Sequence, residues 1–238
     1  MNPVLRYATY TFIAVLLTGL FVLAETNEPG SMRLLVYRSA GDLLGTSEYS
    51  PVELSQIVLL VICALIYAGV AYAYPAQRPI AFLFGGVALA GTVREMDYFL
   101  DRFVTDNFWQ VPFVLIAALV IVYSWRNRRR FRVAWSRMWP SPGLTLIFAG
   151  ALIEFVFAQF IGHGPLWQAI SGDGYQRIIK VTVEELIESF GYLLWLFGTI
   201  EYAVQSRAVD KVWKPEPRPG ESRRRSRRRA RRAAKKRY

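Results

Sequence analysis

Residues 54–74 read LSQIVLLVICALIYAGVAYAY, without one charged side chain. A run of this length decides the fold. A helix needs about 20 mostly apolar residues to cross a bilayer, whereas core helices of soluble proteins carry shorter apolar runs. In lipid only helices and closed barrels satisfy their backbone groups, and the strict alternation of barrel strands is missing here. Further blocks lie on either side. Residues 8–24 (ATYTFIAVLLTGLFVLA) and 110–125 (QVPFVLIAALVIVYSW) are uncharged. Residues 80–93 (IAFLFGGVALAGTV) run into REMDYFLD, residues 143–162 (GLTLIFAGALIEFVFAQFIG) contain only Glu154, and residues 183–204 read VEELIESFGYLLWLFGTIEYAV. The expectation is an all-α, polytopic membrane bundle over residues 1–204. Its helices are placed near 8–24, 54–74, 80–101, 108–125, 143–162 and 183–204, about six in all, with a basic tail over 205–238.

Basic residues set the orientation. The 126–142 loop holds Arg126, Arg128, Arg129, Arg130, Arg132 and Arg137 with no acid, and the tail from 205 holds fifteen basic and three acidic residues. The 25–53 loop sets Arg33 and Arg38 against Glu25, Glu28, Asp42, Glu48 and Glu53. By the positive-inside rule both termini are cytoplasmic. Trp109, Trp125, Trp135, Trp139 and Trp167 fall near the span boundaries, as interfacial anchors do. Residues 1–24 also fit a signal peptide, with Arg6, an apolar core and Val22-Leu23-Ala24 before Glu25. Their apolar stretch is long for such a core, so an uncleaved helix is the preferred reading; cleavage would leave five helices. Cys63 is the only cysteine, which excludes an intrachain disulfide.

The net charge of +11 is a property of the tail. Residues 215–221 (PEPRPGE) break any helix and SRRRSRRRARRAAKKRY follows, a solvated, disordered run by composition. Arg223, Arg224, Arg225, Arg227, Arg228, Arg229, Arg231 and Arg232 are candidates for contact with anionic lipid headgroups or phosphate. Nucleic acid or ribosome contact is the competing reading. No aromatic is interleaved among the arginines, so base stacking is unsupported. Lys235-Lys236-Arg237-Tyr238 matches a dilysine retrieval pattern in the literal sense, which keeps an endoplasmic reticulum membrane as the alternative location.

Charges inside spans cost at least about 2.5–3.5 kcal/mol on insertion scales, so they face partners or polar cavities. On a continuous third helix Arg94, Asp97, Tyr98 and Asp101 recur at i, i+3, i+4 and i+7, which is one face. Glu184 and Glu188 share a face of the last helix, Glu154 sits deep in the fifth, and His163 follows at its outer end. With Glu95, these residues outline a carboxylate-rich pocket open to the outside, with Arg94 as its main cation. One reading is structural: Arg94 bridges Glu154 or Glu188 and locks the helices, a role that suits a bidentate fork. A second is a site for a divalent cation of the Mg, Ca or Mn type, on Asp97, Asp101, Glu184, Glu188 and His163. A third is a proton or cation pathway with Glu154 as relay. A metal-dependent membrane hydrolase is a further alternative. Ceramidase-like enzymes use several histidines around zinc, however, and this chain has one histidine. Ser189, beside Glu188, is the one nucleophile candidate. The glycines at 85, 86, 91 and 191 are expected to permit close helix packing.

Arg94-Glu95-Met96-Asp97-Tyr98, followed by Glu184-Glu185-x-x-Glu188, resembles a family of bacterial multi-pass inner-membrane proteins with an Arg-Glu-x-Asp helix motif and an acidic final helix. The likeness covers residues 50–204. It implies a bacterial plasma membrane and about six helices; the family has no assigned activity to carry over.

Overall fold

Proline and a capping side chain open several of the helices, because the first N–H groups of a helix lack partners and proline has none to lose. The computed structural model describes residues 2–28 and 51–212. Helix α1 (Pro3–Asn27) begins where the Asn2 side chain accepts from Val4 N at 3.0 Å. Helix α2 (Pro51–Ala73) and helix α3 (Arg78–Glu95) are joined by a short turn. Helix α4 (Asp97–Phe103), helix α5 (Gln110–Arg126) and helix α6 (Arg128–Met138) follow. Helix α7 (Pro142–Ile161) is capped by Ser141 Oγ, which accepts from Leu144 N at 3.3 Å. Its stretch Ile153–Ala158 is wound as a π-helix. Helix α8 (Gly164–Ser171) leads to helix α9 (Arg177–Val212), 36 residues long. No strand occurs among the described residues.

Among the described residues three helices, α1, α2 and α7, are each long and apolar enough to cross a membrane. The pair α5 and α6, which meet at 88°, makes a fourth if counted as one span. Helix α9 lies between α7 and α2, α3 packs on α2, and α5 packs on α3. The α7–α9 seam is built on glycine. A Cβ at Gly143 would stand 2.7 Å from Tyr202 N, one at Gly150 2.6 Å from Gly191 O, and one at Gly198 2.7 Å from Ile147 N. Backbones this close gain dispersion contact that larger residues would prevent. The pairing of 143 with 202 and of 150 with 191 also makes the two helices antiparallel. The core around this seam holds Tyr67, Ile80, Leu144, Ile147, Trp195 and Tyr202. Hydroxyls within it are paired: Thr199 Oγ1 donates to Tyr67 Oη at 2.9 Å, and Tyr202 Oη to the Gln77 carbonyl at 3.3 Å.

The structure departs from the sequence reading in three places. The helix expected over 80–101 breaks at Met96 (φ −99°, ψ 13°) into α3 and α4. The uninterrupted apolar run ends at Val93, and the charged residues Arg94, Glu95 and Asp97 flank the break. Arg94, Asp97 and Asp101 therefore do not share one continuous helical face. The 126–142 segment, expected as a loop, contains α6. Phe131, Ala134, Trp135 and Met138 recur there at i, i+3, i+4 and i+7, the apolar stripe of an amphipathic helix. Ala134 and Met138 are buried, and Phe131 stacks on Trp135 with ring centroids 5.7 Å apart. The last helix overruns 183–204 at both ends; at 1.5 Å per residue it is about 54 Å long, against about 30 Å for a hydrocarbon core. The acidic 25–53 loop between residues 29 and 50, the Tyr98 side chain and the arginine run of the tail lie outside the described residues.

Candidate functional site

Arg94 stands in the last turn of α3, where its long side chain reaches across to two neighbouring helices. Its Nη1 lies 3.7 Å from Glu154 Oε1 on α7, and its Nη2 lies 4.0 Å from Glu188 Oε1 on α9. Glu154 is fully buried, and among the described residues neither of its carboxylate oxygens has a hydrogen-bond partner. It sits in the π-helical stretch, whose extra residue per turn alters the direction its side chain takes; such stretches are frequent at functional sites. One turn beyond Glu188, Tyr192 Oη donates to Glu95 Oε1 at 2.7 Å. From α2, Gln56 Nε2 donates to Glu185 Oε2 at 3.1 Å, to the Glu185 carbonyl at 3.2 Å and to Ser189 Oγ at 3.1 Å. Four helices thus converge on one polar layer.

The structure brings together Arg94, Glu154 and Glu188, with Glu95 joined through Tyr192. Other candidates fall outside this set. Glu184 pairs with Lys180 one turn back on its own helix. Asp97 is exposed on α4. Asp101 has a buried Oδ1 without a hydrogen-bond partner among the described residues. His163 is exposed at the start of α8, where its backbone N–H donates to the Phe160 carbonyl at 3.3 Å. The oxygen and nitrogen donors expected to hold a divalent cation are therefore not assembled. Among the described residues no group of three or more His, Cys, Asp or Glu side chains is placed to hold a metal ion. Asp97 and Asp101 lie beyond the Met96 break on α4, and His163 lies in the turn before α8. Ser189 lies against Gln56, whose amide also binds Glu185.

A second ionic site was not read from sequence as a pair. Arg6 Nε donates to Glu201 Oε1 at 2.7 Å and its Nη2 donates to Oε2 at 3.0 Å, a bidentate fork. Tyr10 Oη adds a third bond to Glu201 Oε1 at 3.0 Å and stacks on Phe197 at 4.6 Å. Glu201 is buried, so it needs these partners. A signal could have found the pair: one cation and one anion stand at the same expected end of two apolar helices.

Beside the Arg94 layer lies a cavity of about 340 Å³. Its walls include Gly91, Phe113, Ala117, Val120, Phe155 and Trp195. Among the described residues Arg94 is the one charged residue in its lining.

The chemistry open to the layer follows from charge. One guanidinium offsets one carboxylate. Glu154 and Glu188 are two, and Glu95 nearby is a third, so at least one negative charge calls for a proton or a cation. Measured along α7 from Pro142, Glu154 is about 18 Å in, past the midpoint of a helix about 30 Å long. No protein-family model matches this chain, and comparisons with curated proteins and with solved structures found no significant match.

Proposed function

We propose that this is an integral membrane protein that binds and exchanges a proton, or a monovalent cation in its place, at the Glu154–Glu188 pair beside Arg94. The observation that carries this reading is Glu154, fully buried with both oxygens unbonded and one guanidinium at 3.7 Å shared with a second carboxylate. A purely structural carboxylate would be expected to use its lone pairs, as Glu201 does. A site that must accept and release a charge leaves them free.

The protein is placed in a bacterial plasma membrane, with α1, α2, α3, α5, α7 and α9 as six crossings. Both termini and α6 face the cytoplasm, in keeping with the arginines of α6 and of the tail. The carboxylate layer then lies in the outer half of the bilayer. Arg223–Arg232 of the tail rest on anionic lipid headgroups.

The test is proton flux in proteoliposomes carrying an internal pH-sensitive dye, for the native chain and for Glu154→Gln and Glu188→Gln. Flux that falls to the level of empty liposomes in both variants supports the reading. Flux equal to wild type in both overturns it. The alternative, that Arg94 is only a lock between helices, is favoured by its reach from α3 to both α7 and α9. That reading predicts no flux in any of the three proteins.

A further inference from the structure

Proton exchange makes no use of the cavity beside Arg94. We propose that this cavity holds the hydrocarbon chain of a membrane acyl lipid, whose ester carbonyl oxygen accepts a hydrogen bond from Arg94. The site goes beyond the proton reading and stands whether or not Glu154 and Glu188 exchange a proton.

The volume of about 340 Å³ is room for roughly ten methylene-sized groups, at about 30 Å³ each as for liquid water. Apart from Arg94 and the Tyr192 ring, the lining is aliphatic, aromatic or glycine with one indole, which offers water few of the partners it needs. Helix α5 packs on α3, and the walls that α5 and α7 contribute include Ile121 and Phe155, both exposed at the molecular surface. The opening between them therefore faces lipid, and a chain can enter from the side.

Arg94 supplies the polar end. Its side chain is 41% accessible, and its two carboxylate neighbours stand at 3.7 and 4.0 Å, beyond hydrogen-bond distance. Among the described residues its side chain donates no hydrogen bond, so guanidinium N–H groups bordering the cavity lack an acceptor. Counted along α3 from Arg78, Arg94 is about 24 Å in, a few ångströms short of the far boundary of a core about 30 Å thick. Ester groups lie just beyond that boundary, and a lipid carbonyl that dips those few ångströms meets the guanidinium, which stays beside Glu154 and Glu188. A carbonyl suits the place better than a phosphate. Glu95, Glu154, Glu185 and Glu188 surround Arg94, and an anionic headgroup would meet their charge.

Trp195 gives the test its readout, because it lines the cavity and is otherwise buried. Delipidated full-length protein in detergent is titrated with phosphatidylcholine carrying dibrominated acyl chains. The emission difference between wild type and Trp195→Phe isolates Trp195. The expected result is saturable quenching of Trp195 that is lost in Ala117→Phe, whose ring fills the cavity. The ether-linked analogue of the same lipid, tested on wild-type protein, is expected to bind about tenfold more weakly, the loss of one charge-assisted hydrogen bond. Absence of saturable quenching, or quenching unchanged in Ala117→Phe, overturns the chain site. Equal affinity for ester and ether lipids overturns the role of Arg94, and this arm needs no variant that could misfold.

Discussion

Removing Arg94 and removing Glu154 should have unequal consequences, and a double-mutant cycle measures why. At an effective dielectric of 20, each of the two contacts at 3.7 and 4.0 Å is worth about 4 kcal/mol before desolvation is subtracted. Desolvation of a buried carboxylate costs several kcal/mol, so the net value of the cluster is small. Taking away the cation alone is different, because Glu154 and Glu188 stay buried without it. Breaking a buried pair in this way costs about 3–5 kcal/mol. With 41% of the Arg94 side chain accessible, solvent and lipid headgroups screen part of that, and about 2–3 kcal/mol is expected for Arg94→Met. Glu154→Gln removes a charge whose oxygens make no hydrogen bond, so its cost should stay within about 1 kcal/mol of zero and can be favourable. In the double variant the second change should recover about 1–2 kcal/mol of the first. The assay is chemical unfolding of detergent-solubilised protein, followed by intrinsic fluorescence. If Glu154→Gln is as damaging as Arg94→Met, or the two effects add within about 0.5 kcal/mol, Arg94 is not the compensating charge for Glu154.

Three further outcomes are expected. Gly150→Ala places a Cβ 2.6 Å from Gly191 O, where only backbone can yield, so α7 and α9 must part at a cost of about 1–3 kcal/mol; thermal unfolding would register this as a lower Tm, and an unchanged Tm would argue against the close seam. Met138→Ala empties a buried position under α6 and should cost about 2–5 kcal/mol, whereas a value near zero in the same unfolding assay would mean that α6 does not dock on the bundle. Glu201→Ala leaves Arg6 and Tyr10 without their shared acceptor, so amide hydrogen exchange should quicken over residues 3–27 and stay unchanged over α7; equal protection in both proteins would show that α1 is held by other contacts.

The helical, membrane-apolar character was legible because it is a local property. Runs such as 8–24, 54–74 and 143–162 state their own preference for hydrocarbon, residue by residue. The charged residues inside such runs were equally visible, and Arg94, Glu154 and Glu188 could be named as partners on charge alone. The ends of elements were less visible. The break at Met96 and the π-helical stretch around Glu154 change the direction of side chains without changing composition. The apolar stripe of α6 was present in Phe131, Ala134, Trp135 and Met138 but hidden among arginines that read as a loop.

Sequence by itself therefore determined the class of the fold and the stock of buried charge, since both depend on what each residue is. Only the tertiary structure decided which charges meet. Arg6 and Glu201 lie 195 positions apart and form a fork, while Asp97, three residues from Arg94, is turned out on α4. The physical reason is geometric. Transfer free energy accumulates along the chain, but an ion pair across helices depends on the azimuth and register of two rods. Those are set by close packing at sites such as the Gly143–Gly198 seam, which no single segment contains.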